Sequence, residues 1–401
     1  MQFRKMGTRI DWEASALGFG CMRFPKKFGR VDEEEAIRIL RYGIDRGINY
    51  VDTAYPYHMG KSETIVGKAL LDGYREKVHL VSKLPMWSVK TADDFEKFLN
   101  EQLKKLQTDH LDIYLFHGLN KARFEKIKSL NLIPKMVQAK MEGKIRSFGF
   151  SFHDSLSVFK EIVDFYDWDC CQIQFNYMDV GIQATSEGLK YAHKKGIAVI
   201  IMEPVKGGTL ANPPKEALEI MEKSSVKRKP VDWALQFLWN KPEVAVVLSG
   251  MSNFQQVEEN CDSAETSGIN TLSPEEVTIV DELADYFTRN TAVPCTGCGY
   301  CMDCPNGVNI PENFSIINNI ALSHGNSLGS IVQRVRFRSK YRKMPKKKED
   351  LKGKVSGRAS MCINCGVCID KCPQQIQIPT ELAKVVQVIE KRKKIPKIFP
   401  K

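Results

Sequence analysis

Four cysteines and a proline, Cys295, Cys298, Cys301, Cys304 and Pro305, recur 67 residues further on as Cys362, Cys365, Cys368, Cys372 and Pro373, with one extra residue before the last cysteine. No other feature of the chain restricts its folding as severely. Three thiols at i, i+3 and i+6 come from one compact turn, and such a turn can wrap one face of a cubane. Each copy runs on to an Ile-Pro pair, Ile310-Pro311 and Ile378-Pro379, followed by an acidic helix start, so the segment reads as one unit duplicated. Twelve cysteines are many for a reducing compartment, where dense spacing points to metal rather than to disulfides. The spacing favours iron–sulfur, and a pair of structural zinc knuckles is the alternative, because zinc also takes four thiolates, usually from two C-x2-C pairs. Cys170, Cys171 and Cys261 fit no such pattern and are expected to be buried small apolar residues; Cys21 is expected to be buried too, at a strand end where a ligand could reach it.

A chain of 401 residues exceeds the size at which one hydrophobic core usually stops growing, which predicts two domains. No segment approaches the roughly 18 consecutive apolar residues of a membrane span, and residues 1–30 lack the apolar core of a signal peptide. The expectation is a cytoplasmic protein that does not enter a membrane. Charge is uneven: Met1 to Asn290 holds 39 Lys plus Arg against 41 Asp plus Glu, whereas Thr291 to Lys401 holds 20 against 7. The basic stretches Arg334 to Lys354 and Lys391 to Lys394 suit a partner of opposite sign, such as a small acidic ferredoxin or flavodoxin. A solvated basic face is the plain alternative, and nucleic acid is disfavoured because no recognised nucleic-acid fold surrounds the stretch.

Up to about Gly250, short β-rich runs alternate with helical patterns, as parallel strands joined by helical crossovers do. Strands are predicted at Ala16–Gly20, Ile48–Ala54, Val78–Lys83, Leu111–His117, Ile145–Phe152, Cys171–Asn176, Ala198–Pro204 and Val244–Gly250. Asp32 to Arg46 reads as one of the helices, with Asp32 as N-cap and Ala36, Ile37, Leu40 and Ile44 on one face. Eight such units in residues 1–290 match a closed (β/α)8 barrel, a TIM barrel in architecture. An open doubly wound sheet would usually carry a Gly-rich first turn, and LGFGCMRF is not that fingerprint. The fold class is therefore α/β: a barrel over 1–290 followed by a smaller, mostly α-helical domain over 291–401.

Active sites on such barrels gather at the C-terminal ends of strands. There the sequence places Asp52, Tyr57, Lys83 and His117 in succession. A lysine ammonium beside a tyrosine lowers the phenol pKa, a carboxylate keeps the lysine placed, and an imidazole can donate to a carbonyl oxygen. Singly, each has a structural explanation as an ion pair, a wall of the mouth or a satisfied histidine; together they form a set able to protonate an alkoxide.

The segments LGFGCMRFP (17–25), VDTAYPYHMGKSE (51–63), VSK (81–83), LDIYLFH (111–117), GKIRSFGFS (143–151) and GMSNFQQVEEN (250–260) resemble the aldo-keto reductase superfamily. The resemblance implies a tetrad of Asp52, Tyr57, Lys83 and His117, with tyrosine as proton donor and histidine orienting the carbonyl of an aldehyde or ketone, and hydride transfer with NADH or NADPH. It places Ser151 and Gln172 at the nicotinamide carboxamide, Met202 where many members stack a tyrosine on the ring, and Glu259 and Asn260 near the adenine. Gly250 and Gln256 stand where a lysine and an arginine commonly grip the NADP 2′-phosphate. Gly20, Cys21 and Met22 at the first strand end, with Ser252 and Asn253 at a helix opening that offers backbone N–H groups to phosphate, complete the expected cofactor site. A flavin mononucleotide on the same face is the competing cofactor.

The cysteine repeat resembles the bacterial two-cluster ferredoxins, whose run is C-x2-C-x2-C-x3-C-P with the fourth cysteine reaching the other cluster. That implies one [4Fe-4S] cluster on Cys295, Cys298, Cys301 and Cys372, and a second on Cys362, Cys365, Cys368 and Cys304. The whole chain resembles aldo-keto reductases with a C-terminal ferredoxin-like domain. Two functional readings follow: a carbonyl oxidoreductase exchanging electrons through its clusters, or a non-catalytic electron-transfer or redox-sensing subunit whose barrel is a binding module.

Overall fold

Runs such as Ala-Val-Ile-Ile-Met at 198–202 and Val-Ala-Val-Val-Leu-Ser at 244–249 carry almost no polar side chain, as strands buried on both faces require. In the computed structural model, which describes residues 1–302, 304–323, 328–351, 353 and 355–399, these runs become the staves of a barrel. Its strands are β1 (Leu17–Gly20), β2 (Tyr50–Asp52), β3 (His79–Leu84), β4 (Leu111–Leu119), β5 (Ile145–Phe152), β6 (Cys170–Gln174), β7 (Ala198–Met202) and β8 (Val244–Ser249). Each pairs in parallel with the next, and β8 returns to β1 to close the barrel. The expected second strand, Ile48–Ala54, is shorter in the structure because the chain leaves the ladder after Asp52 and curls into the loop that carries Tyr57.

Tyr50, Val81, Ile113, Leu115, Cys170, Ile200, Val246 and Leu248 fill the barrel interior. At the end where the strands begin, Met6, Ile10 and Ala14 join the same cluster, held by an antiparallel hairpin of Phe3–Lys5 with Glu13–Ser15 that sequence reading missed. One end of the barrel is thereby sealed and chemistry is left to the other. Successive residues face opposite ways, so Cys170 lies inside while Cys171 packs in the outer layer between strands and helices. Cys21, Cys170, Cys171 and Cys261 are all buried, as expected. Gly149 on β5 faces Cys170 so closely that a Cβ there would stand 1.9 Å from the Cys170 carbonyl oxygen, so only glycine fits.

The outer helices follow ordinary end rules. Glu33–Asp45 begins at Asp32, whose carboxylate accepts from the Glu35 N–H, and three glutamates fill its first turn, where the helix dipole favours negative charge. Ala36, Ile39, Leu40 and Ile44 form its buried stripe; Ile37 is only half-buried and Ile39 takes its place.

Asp112 anchors the start of β4. Its carboxylate accepts from Arg75 at 2.9 Å and from the Leu80 N–H at 2.8 Å. Burial works to raise this carboxyl, but the His79 ring, the Arg75 guanidinium and the Leu80 N–H outweigh it and hold it at about 2. A carboxyl whose pKa is lower folded than unfolded stabilises fully above about pH 4 and loses that contribution as pH falls towards 2. Asp112→Asn is expected to lower barrel stability at pH 7 by about 2 kcal/mol and to remove that acid limb, as read by denaturant unfolding.

Contacts divide the chain into two compact units, one of residues 1–205 and 231–273 and one of 206–230 and 274–401. The second has its own core, built by Phe314 and Ile317 of helix Ile310–Leu322, Tyr341 of helix Leu328–Lys343, and Leu382, Val385 and Val388 of helix Ile378–Ile389. Pro311 and Pro379 sit in the first turn of two of these helices, so the duplicated Ile-Pro pairs are helix starts. Lys352 and Lys354 of the basic stretch lie outside the described residues. No helix among the described residues is long and apolar enough to cross a membrane.

Candidate functional site

At the open end of the barrel the Lys83 ammonium donates to both Asp52 carboxylate oxygens at 2.7 Å and to the Thr53 carbonyl at 2.9 Å. Both side chains are buried. Burial pushes the Asp52 carboxyl up, and the Lys83 ammonium works against it. A buried charge pair persists only when its hydrogen bonds are made, and here the two oxygens and the neighbouring carbonyl satisfy the ammonium. The same ammonium lies 5.3 Å from the centre of the Tyr57 ring. Tyr57 stands nearly perpendicular to the His117 ring, with centroids 6.1 Å apart. The four expected residues therefore meet.

His117 ends up neutral. Burial first, then the charges of Lys83, His153 and Arg123, hold its imidazole well below the ordinary range. Tyr57 opens a short turn, Tyr57–Gly60, in which His58 and Met59 both adopt left-handed backbone. Such strain in non-glycine residues persists where surrounding contacts over-determine it. His58 supplies them: its Nε2 lies 3.3 Å from the Phe24 N–H and 3.1 Å from the Cys21 carbonyl, and its ring stacks on Phe24.

Behind the tetrad is a buried polar cluster that the sequence did not announce. The Ser82 hydroxyl and the Gln102 amide both donate to Glu63, at 2.7 and 2.5 Å, and Gln102 also donates to the Lys83 carbonyl at 3.1 Å. Two mouth residues were likewise missed. Trp87, 43% exposed, lies 5.0 Å from the His117 ring, and the Arg123 guanidinium lies 5.7 Å from the Trp87 ring centre. The available signal was position: Trp87 follows β3 and Arg123 follows β4, in the loops that build a barrel's active face.

The expected cofactor residues fall as follows. Ser151 on β5 and Gln172 on β6 are register partners, and the Ser151 oxygen accepts from the Gly118 N–H at 2.7 Å. Gln172 is buried, yet its amide oxygen has no hydrogen-bond partner. A buried acceptor left unmade costs stability, and an amide N–H from a bound ring substituent would satisfy it. Met202 ends β7. Gly20 ends β1 and Cys21 and Met22 begin the turn after it, with Cys21 fully buried. Gly250 lies beneath Arg23: a Cβ there would sit 2.5 Å from the Arg23 Cγ.

The helix Phe254–Glu265 begins at Asn253, whose side chain accepts from the Gln256 N–H at 2.9 Å. The Gln256 amide oxygen in turn accepts from the Ser252 N–H at 2.8 Å and from its hydroxyl at 3.1 Å. The N–H at Ser252 is thus already satisfied, contrary to the expectation of an open helix start. Glu259 accepts from Gln255, and the buried Asn260 amide donates to Ser249 at 2.9 Å.

In the second unit the eight repeat cysteines sort into two groups. Burial raises the Cys301 thiol, and neighbouring Cys298, Cys295 and Cys372 raise it further. Burial first, then neighbouring Cys362, Cys304 and Cys365, raise Cys368 to about 11 against the opposing pull of its own backbone N–H. Cys304, Cys362, Cys365 and Cys368 line one cavity, which Cys301 of the first group also borders. Among the described residues no three His, Cys, Asp or Glu side chains converge tightly enough for a single metal ion. Burial raises the Cys372 thiol while the backbone N–H groups of Ile376, Gln374 and Gln375 work against it, and the Cys295 sulfur accepts from the Gly297 N–H at 3.4 Å. Such N–H donors suit sulfurs carrying negative charge, as cluster thiolates do.

A closed parallel barrel whose mouth joins a phenol, an ammonium and a neutral imidazole defines the class as a (β/α)8 barrel with an acid–base site at its open end. Residues 16–285 match the aldo/keto reductase family and residues 294–377 match a 4Fe-4S dicluster domain. The chain belongs to the aldo/keto reductase family and carries that dicluster domain at its C-terminal end. Among its relatives, L-galactose dehydrogenase of Arabidopsis thaliana is 29% identical over 281 residues, spanning 65% of this chain and 87% of that protein. The uncharacterized oxidoreductase YqkF of Bacillus subtilis is 28% identical over 66% of this chain and 91% of its own length. The aldo-keto reductase AKR11C1 of Bacillus halodurans, solved in its holo form, superposes with a TM-score of 0.60 at 28% identity, covering 71% of this chain and 96% of that one. An aldo-keto reductase of Klebsiella pneumoniae solved with NADPH shares the fold, with a TM-score of 0.60 at 23% identity over 71% of this chain and 96% of that one.

Proposed function

We propose that the barrel interconverts a small aldehyde or ketone and its alcohol, with Tyr57 as proton donor, and that the protein exchanges electrons with an outside carrier through two [4Fe-4S] clusters. The observation that carries the first part is the buried Lys83–Asp52 pair set beneath the Tyr57 ring and beside a neutral His117. Tyr57 gives its hydroxyl proton to the carbonyl oxygen as that oxygen gains negative charge. Lys83 keeps a fixed positive charge against the phenol, so the phenolate left behind is stabilised, and Asp52 prevents the lysine from swinging away. His117, being neutral, donates one N–H to the carbonyl oxygen without competing as an acid.

Gln172, whose orphaned amide oxygen can accept from a carboxamide, and Ser151 beside it would hold the nicotinamide of NADH or NADPH. Bound there it supplies a hydride to the carbonyl carbon. The eight thiols suit two [4Fe-4S] clusters in the two groups described, each passing one electron at a time.

The test is turnover of anaerobically purified protein on a panel of aldehydes and ketones with NADH, NADPH or reduced ferredoxin. Carbonyl-dependent oxidation of one donor supports the reading, and a redox-dependent complex without turnover overturns it. A pH profile adds a second check. Because His117 is held neutral, the pH dependence of kcat/KM is expected to show no limb near the ordinary histidine range of about 6.5.

A further inference from the structure

The two thiol groups differ in their access to solvent. Cys301 is buried and Cys295, Cys298 and Cys372 are half-buried, whereas Cys365 of the other group is exposed. Cys365 sits in the turn Cys362–Cys368, where Asn364 and Gly366 on either side of it adopt left-handed backbone. Ile363 and Val367, 64% and 49% exposed, flank it. Large apolar side chains on a surface turn gain nothing from water, and a patch of them beside charged groups marks a contact surface. Lys371 lines the same cavity as these residues, in a segment where 20 basic residues face 7 acidic ones.

We propose that the turn Cys362–Cys368 is the electron port of this protein. Its tip, where Ile363 and Val367 stand with Lys371 around one cavity, docks a small one-electron carrier protein of the iron–sulfur class that carries carboxylates around an apolar contact. In each encounter the carrier loses one electron and the cluster held by Cys304, Cys362, Cys365 and Cys368 gains it; no bond or proton moves. Small apolar contacts ringed by opposite charge give the fast, weak complexes typical of redox partners. The assignment rests on the reading that these thiols hold a cluster, so the experiment monitors that separately.

Anaerobic holoprotein is mixed with a reduced acidic plant-type ferredoxin, and cluster reduction is followed by stopped-flow absorbance at several salt concentrations. The second-order rate is expected to fall steeply as salt rises. The double variant Ile363→Glu with Val367→Glu is expected to slow it at least tenfold, while iron content and reduction by dithionite stay unchanged. Ile363→Lys with Val367→Lys is expected to slow it less than the Glu pair does, because the apolar contact is lost while steering by charge is kept. If the Glu pair leaves the ferredoxin rate unchanged with iron content intact, the port is elsewhere. Binding of the wild-type protein, but not the Glu pair, to vesicles of anionic lipid without any effect on the ferredoxin rate would make the turn a membrane contact. A dimer that the Glu pair abolishes, with the rate unaffected, would make it an interface between copies. Loss of iron in wild type overturns the cluster reading itself rather than the port.

Discussion

Tyr57→Phe is expected to lower kcat for carbonyl reduction by about 10²–10⁴-fold, the span attributable to a positioned general acid. The ring keeps its place over the Lys83 ammonium, which lies 5.3 Å from the ring centre, and against the perpendicular His117 ring. Only the transferable proton is lost, so KM for the carbonyl and the binding of nicotinamide are expected to stay near their wild-type values. Equal losses in kcat and kcat/KM point to an interaction made only in the transition state. Lys83→Met is the companion variant. It leaves the buried Asp52 carboxyl without its partner, and breaking a buried pair costs about 3–5 kcal/mol of stability, so its effect is read only on protein shown to be folded by circular dichroism.

The second large effect lies in the thiol groups. Cys368→Ala removes one of the four sulfurs gathered from Cys304, Cys362, Cys365 and Cys368. Iron and acid-labile sulfide are expected to fall by about half, because the group of Cys295, Cys298, Cys301 and Cys372 is untouched. Since metal binding is folding energy for a small unit, the thermal transition of the second unit should also drop, while that of the barrel holds. The crosswise arrangement makes a sharper forecast. Cys304→Ala should empty the cluster of the later cysteine run, and Cys372→Ala that of the earlier one, a result that independent loops each holding their own cluster would reverse.

Much of this was legible in the residues. Parallel strands buried on both faces must be apolar almost throughout, so runs such as 198–202 and 244–249 stand out from amphipathic helices. The tetrad was legible because a barrel collects its chemistry at successive strand ends, and Asp52, Lys83 and His117 sit at or near three of them. The crosswise grouping of thiols came from the ferredoxin resemblance. The N-terminal hairpin was not legible, because three-residue strands are too short to show a period. Nor was the Glu63–Ser82–Gln102 cluster, which draws on three separate elements and has meaning only once they pack. At Ser252 the reading took a helix start for an open phosphate site. A glutamine one turn along, Gln256, folds back and takes the N–H itself, a local competition that residue order alone does not rank.

Iron and acid-labile sulfide, measured together on protein purified without oxygen, test the account most directly. Two cubanes predict about eight iron and about eight sulfide per chain, with a broad visible absorbance that bleaches on reduction by dithionite. Zinc in place of iron, or iron without inorganic sulfide, would contradict it.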